Sequence, residues 1–159
     1  AECETKWIVD LFTPIKDKCW GLLYGNHEES IRKFNHDNVQ KNICNRLEVD
    51  NLGFSSFLKL HFNRGASGTR SLYTCALTHG ASGAITEGAK LMALMRWMKD
   101  NNADIYAYAH LHDYLMKART EKTVSDAGRI KQRVSIGVTT GSWFRTYTQG
   151  IIASYGEMK

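Results

Sequence analysis

Apolar residues recur along this chain first at helical and then at strand spacing. Trp7, Ile8, Leu11, Phe12 and Ile15 follow a helical period, and Pro14 near the end of that pattern predicts a kink or break before Trp20. Residues 20–24 are then a short apolar run closed by Gly25, which predicts a buried strand that stops abruptly at a loop. Asn26 to Glu28 are thereby placed at a strand's carboxyl end. A polar helix is expected from residue 29 to about 34. Another is expected over 39–47 with Ile43 and Leu47 on one face, and both helices are expected to cover a sheet.

Residues 57–62 alternate Phe57, Lys59 and His61 with Leu58, Leu60 and Phe62, the period of a strand with one wet face. A loop over 63–68 turns it back into a strand over 72–77. Leu91, Leu94, Met95 and Met98 give residues 85–99 a helical period, stopped by Asp100-Asn101-Asn102, and these methionines read as core packing. Residues 105–108 form the next short strand. Further strands are expected over 114–117 and 133–139 around a polar link at 120–131, and residues 141–147 gather Trp143, Phe144, Arg145 and Tyr147.

With one proline, no repeat and no low-complexity stretch, the 159 residues read as a single layered α/β domain. A composition 43% hydrophobic and 23% charged is ordinary for a globular domain. No apolar run reaches membrane-spanning length and the first six residues lack a secretory pattern, so a soluble, cytoplasmic protein is expected. The net charge of +5 suits an anionic, phosphate-bearing partner without demanding one, because no stretch forms a basic block. Cys3, Cys19, Cys44 and Cys75 show no Cys-x-x-Cys spacing and read as reduced, mostly packed thiols.

Three histidine-bearing motifs carry the chemistry: Gly25-Asn26-His27-Glu28, Thr78-His79-Gly80 and Ala109-His110-Leu111-His112, each where an apolar run meets a loop. Imidazoles with an amide oxygen suit a divalent transition ion, such as manganese, zinc, iron or nickel, rather than calcium. Asn26, His79 and His110 would fill one such site, and His112 would serve a second ion if there are two. His27 points away from Asn26 and is suited to protonate a leaving group, since imidazole titrates near neutrality. Glu28 either orients His27 or caps the following helix, the common role of a carboxylate at a helix start. His36 and His61 lie in no motif and read as surface histidines.

The ordered set Gly-Asn-His-Glu, His-Gly and Ala-His-Leu-His resembles the calcineurin-like metallophosphoesterase superfamily, in the wording of its phage-type members, from about Trp7 to Tyr155. The resemblance implies a layered αββα sandwich of two sheets flanked by helices. It implies that Asn26, His79 and His110 bind one metal and His112 the other, that His27 assists catalysis, and that a phosphomonoester or phosphodiester is hydrolysed. A phage-encoded member would work in the host cytoplasm. The family also has an upstream Asp-x-His and a Gly-Asp, and neither pattern occurs here. The chain therefore reads as the carboxyl-terminal portion of such a domain, carrying the second half of the site, with weak, single-ion binding expected from its neutral ligands.

Two alternatives follow from the missing carboxylates. One is a phosphoesterase-like module without catalysis, a binding or structural unit that uses Trp143, Phe144, Arg145 and Tyr147 on nucleic acid. The other is restoration of the site by a complementing chain. A lost amino-terminal part would also bare a sheet edge, from which self-association is expected.

Overall fold

The computed structural model describes residues 2–65 and 68–142, so the aromatic and basic residues Trp143, Phe144, Arg145 and Tyr147 lie outside it. Four α-helices and a five-stranded mixed sheet make up the described residues, which bears out the mixed α/β class.

Helix α1 (Glu2–Phe12) runs into a tighter 3-10 turn over Thr13–Lys18, where the pattern breaks at Pro14. Part of its apolar stripe faces outward: Trp7 is 66% and Leu11 56% exposed, Ile8 and Phe12 are half-buried, and Thr5 is the buried residue of the helix. Periodicity marks which side of a helix is apolar, not what meets that side.

Residues 20–24 do not form the expected buried strand. Leu22 makes one parallel bridge to Asn51, flanked by bonds from Leu22 N to Asp50 O, Leu52 N to Leu22 O and Tyr24 N to Gly53 O. The segment is extended, but its neighbour is a loop and no ladder develops.

Helix α2 (Asn26–Asn35) starts three residues before the expected position, so Asn26 to Glu28 occupy a helix's first turn rather than a strand's end. Glu28 Oε2 accepts the Gly25 N–H at 2.9 Å, and the acidic first turn with a basic last turn complements the helix dipole. Helix α3 (Val39–Leu47) has the expected bounds, with the Asn38 side chain accepting from Lys41 N at its start. Gln40, Ile43, Cys44 and Leu47 form its buried stripe, and it packs on α1 and α2.

Strands β1 (Ser55–Arg64) and β2 (Thr69–Thr78) form an antiparallel hairpin, and helix α4 (Glu87–Asp100) carries the chain over to β3 (Ile105–Tyr108), parallel to β2. Strand β5 (Ile130–Thr139) lies parallel to β3 and antiparallel to β4 (Met116–Val124), giving the order β1-β2-β3-β5-β4. The expected polar link at 120–131 is thus mostly strand, closed by a turn with Gly128 N bonded to Ser125 O. Both of its faces carry polar residues there, so no hydrophobic alternation marks it. Ladder pairing, with Glu121 opposite Arg133, holds it extended.

Leu94 and Met98 of α4 pack on Ala76, Tyr106 and Tyr108, and Gly137 leaves room for the Met98 thioether against the sheet. It is α4, not α2 or α3, that forms this core. The register puts Phe62, Tyr73, Ile105, Val134, Ile136 and Met116 on the opposite face, and all six are exposed. Among the described residues no helix is long and apolar enough to cross a membrane.

Candidate metal centre

The parallel register sets Thr78 beside Tyr108, so the two chains leave the sheet together and carry His79 and His110 out at adjacent carboxyl ends. A bond from Ala109 N to Thr78 O (3.1 Å) extends the pairing into the motifs. Carboxyl ends of parallel strands are where open α/β sheets place ligands. Gly80 then turns away at φ 80° with its Cα on the Tyr108 ring, a contact that leaves no space for a side chain.

Asn26 reaches the same point through the first extended segment. The rings of Tyr24, Phe54 and His79 stack edge to face at 6.1 and 5.6 Å, and His79 N donates to Phe54 O. Gly25 lies against the His79 imidazole, with an added Cβ falling 2.5 Å from Cε1. The first residue of α2 is thereby delivered to the ring: Asn26 Oδ1 is 2.9 Å from His79 Nε2, and His110 Nδ1 is 3.2 Å from that same atom.

These contacts exceed what one neutral imidazole nitrogen provides. If Nε2 carries a hydrogen it can donate to Asn26 Oδ1, but it then has no lone pair for a hydrogen on His110. Asn26 Oδ1 and His110 Nδ1 each approach His79 Nε2 at a spacing close to the roughly 3.0–3.4 Å between neighbouring ligands of an ion bound at about 2.0–2.1 Å. Burial, then the neighbouring His110, lowers the His79 pKa from its ordinary value, and this favours the neutral, ligand form of the ring. The donor set therefore fits a divalent transition ion.

The backbone of the third motif is strained. His110 has φ 69° and His112 φ 52°, while Leu111 N bonds to Ala109 O at 2.8 Å, making His110 the centre of a tight γ-turn of the rare positive-φ kind. Ala109 has no positive φ, so alanine is accommodated there. The rings of His110 and His112 lie 6.5 Å apart, and His112 is close enough to bear on the titration of His79. His27 is exposed on the first turn of α2, close enough to bear on the titration of His79.

The carboxylates closest in sequence to the motifs are engaged elsewhere, and Asp104 lies at the opposite end of β3 from His110. Glu28 caps α2, Asp104 holds Arg133 and the Thr74 N–H, and Asp113 pairs with Lys90 at 3.3 Å. Among the described residues no three His, Cys, Asp or Glu side chains are grouped to hold a metal ion, and the converging set is two imidazoles and an amide. His36 and His61 are exposed. Gln40 was missed as a candidate, although a polar residue on the 40, 43, 44, 47 stripe of α3 is itself a signal.

Comparisons with protein-family models, with curated protein sequences and with solved structures gave no match to this chain.

Proposed function

We propose that this chain is a metal-dependent phosphoesterase domain of the calcineurin-like kind, in which Asn26, His79 and His110 hold one divalent transition ion. The observation that carries this reading is the approach of Asn26 Oδ1 and His110 Nδ1 to a single nitrogen of His79. A bound ion would act as a Lewis acid on a phosphoryl oxygen and lower the pKa of water. The chain's own residues do the rest: Gly25 fixes the His79 ring, the γ-turn fixes His110, and His112 stands ready beside it for a second ion. The first turn of α2 faces its unpaired N–H groups toward an anion, and His27 on that turn is the acid for the departing alkoxide. The exposed apolar sheet face suits the second layer of a sandwich.

The test is hydrolysis of bis(p-nitrophenyl) phosphate with manganese or nickel added, alongside elemental analysis and a His110→Ala control. Metal-dependent turnover lost in His110→Ala supports the reading, and ion binding without turnover overturns it. The engaged carboxylates Glu28, Asp104 and Asp113 favour a second reading, a module that binds an ion weakly through neutral ligands and acts as a binding or structural unit. That second outcome of the assay is its signature.

A further inference from the structure

Gln40 is 7% exposed and sits on the apolar stripe of α3, where leucine would pack without any polar group to satisfy. One end of its amide, Nε2, reaches the Cys44 sulfur at 3.6 Å, a weak acceptor. The other end meets no protein partner among the described residues. A buried amide left half-satisfied is costly, and such groups in folded proteins find a partner in ordered water or a ligand.

Gln40 lines a cavity of about 220 Å³ together with Tyr24, Glu28, Asn38 and Asn51. Three of these side chains are already oriented by the backbone. Asn38 Oδ1 accepts from Lys41 N, Asn51 Oδ1 from Gly53 N, and Glu28 Oε2 from Gly25 N. Among the described residues each keeps its second polar atom unused: two amide NH2 groups and one carboxylate oxygen, in addition to the Gln40 amide oxygen. Fixed donors and acceptors in alternation match a ligand whose groups both donate and accept, which is the property of hydroxyls. Glu28 and Glu29 against Arg32 leave the cavity net negative, so an anionic group does not belong in it. Its volume is below the roughly 300–1,000 Å³ of sites for drug-sized ligands and suits a single ring.

The cavity adjoins the metal centre. Tyr24, which lines it, precedes Asn26 by two residues, at most about 7.6 Å between Cα atoms, and its ring meets Phe54, whose other neighbour is the His79 ring. We propose that this cavity binds the polyhydroxylated, sugar-like alcohol of the phosphoester, with Gln40, Asn51 and Glu28 as its hydrogen-bonding partners. This rests on the phosphoesterase reading above: the phosphate lies at His79 and His110, and the alcohol it esterifies lies toward Gln40.

The experiment uses the full chain, labelled with ¹⁵N and free of metal, titrated with D-ribose and D-glucose, with cyclohexanol as a ring of similar size that lacks the hydroxyl array. One of the sugars is expected to shift the side-chain amide signals of Gln40 and Asn51, and cyclohexanol to leave them in place. Gln40→Leu should weaken sugar binding about tenfold or more while melting no lower than the parent, because it removes the half-satisfied amide. Asn51→Ala, at an exposed position, provides a second variant with the same expected loss of affinity. No sugar response at millimolar concentration means that ordered water alone fills the cavity, and overturns the proposal. Sugar binding that depends on Gln40, in a chain that hydrolyses no phosphoester with manganese, keeps the saccharide pocket and overturns the phosphoesterase reading instead.

Discussion

Gly25 and His79 meet backbone to ring: a Cβ at residue 25 would lie 2.5 Å from Cε1 and 2.8 Å from both ring nitrogens of His79. Gly25 has φ −108°, so glycine is needed here for close approach and not for an unusual dihedral.

Gly25→Ala should therefore act on the ring. Overpacking costs about 1–3 kcal/mol unless the imidazole swings away, and a displaced imidazole no longer faces Asn26 and His110. Nickel titration followed by calorimetry should show affinity lower by about tenfold or more, with a modest fall in melting temperature. Unchanged nickel affinity would remove His79 from the ligand set.

His110 separates strain from function. Its left-handed backbone costs an ordinary residue about 1–2 kcal/mol, and glycine does not bear that cost. His110→Gly should unfold in urea at higher stability than His110→Ala, by about 1 kcal/mol, while both lose ion binding alike. Equal stabilities would mean that the γ-turn stores no strain.

Much of this arrangement was legible in the sequence, for definable reasons. The spans of α3 and β3 could be read because an apolar period begins and ends there without competition. The second and third motifs could be read alike because each follows a short apolar run, and the parallel pairing of β2 and β3 is what ends those runs side by side. The sheet-side ends of β4 and β5 were read as strands, but the half of the hairpin nearer its turn was illegible since Lys122, Thr123, Lys131 and Gln132 put polar groups on both faces, and only pairing across the ladder shows it as strand. The run at 20–24 misled because an apolar stretch says nothing of whether its neighbour is a strand or a loop. The positive φ of His110 and His112 was not read from the sequence, because histidine is only one of several residues that enter that region and most histidines do not.

Among the described residues no element covers the sheet face opposite α4. Five strands spaced about 4.8 Å apart over roughly 25 Å present on the order of 600 Å² of mostly apolar surface, approaching the roughly 800 Å² that each partner buries in a standard interface. Two copies facing each other through Tyr73, Ile105, Ile136 and Met116 would cover it, with no charge to strand among these four. Sedimentation velocity should show association rising with concentration, and Ile136→Lys should shift it toward monomer. A chain that sediments as monomer throughout sinks this expectation.

Acid should act on the first helix of the site through Glu29. Its carboxyl is held at about 2 by hydrogen bonds from Arg32, then Lys33, against the opposing effect of burial. A lowered carboxyl pKa means that the folded chain binds this proton less readily than the unfolded one. The stabilisation is therefore full above the unfolded value near 4.5 and is lost as pH falls toward about 2. Arg32 and Lys33 lie in the last turn of α2, so protonating Glu29 frees both and loosens the helix that presents Asn26 and His27. Urea unfolding followed between pH 5 and pH 2 should fall less steeply for Glu29→Gln than for the parent chain. Because Glu29 also lines the polar cavity beside the metal centre, Glu29→Gln should raise its net charge and leave the nickel affinity of Asn26, His79 and His110 unchanged at neutral pH. Parallel pH profiles for the two chains would show that the Glu29 pairs contribute nothing to folding.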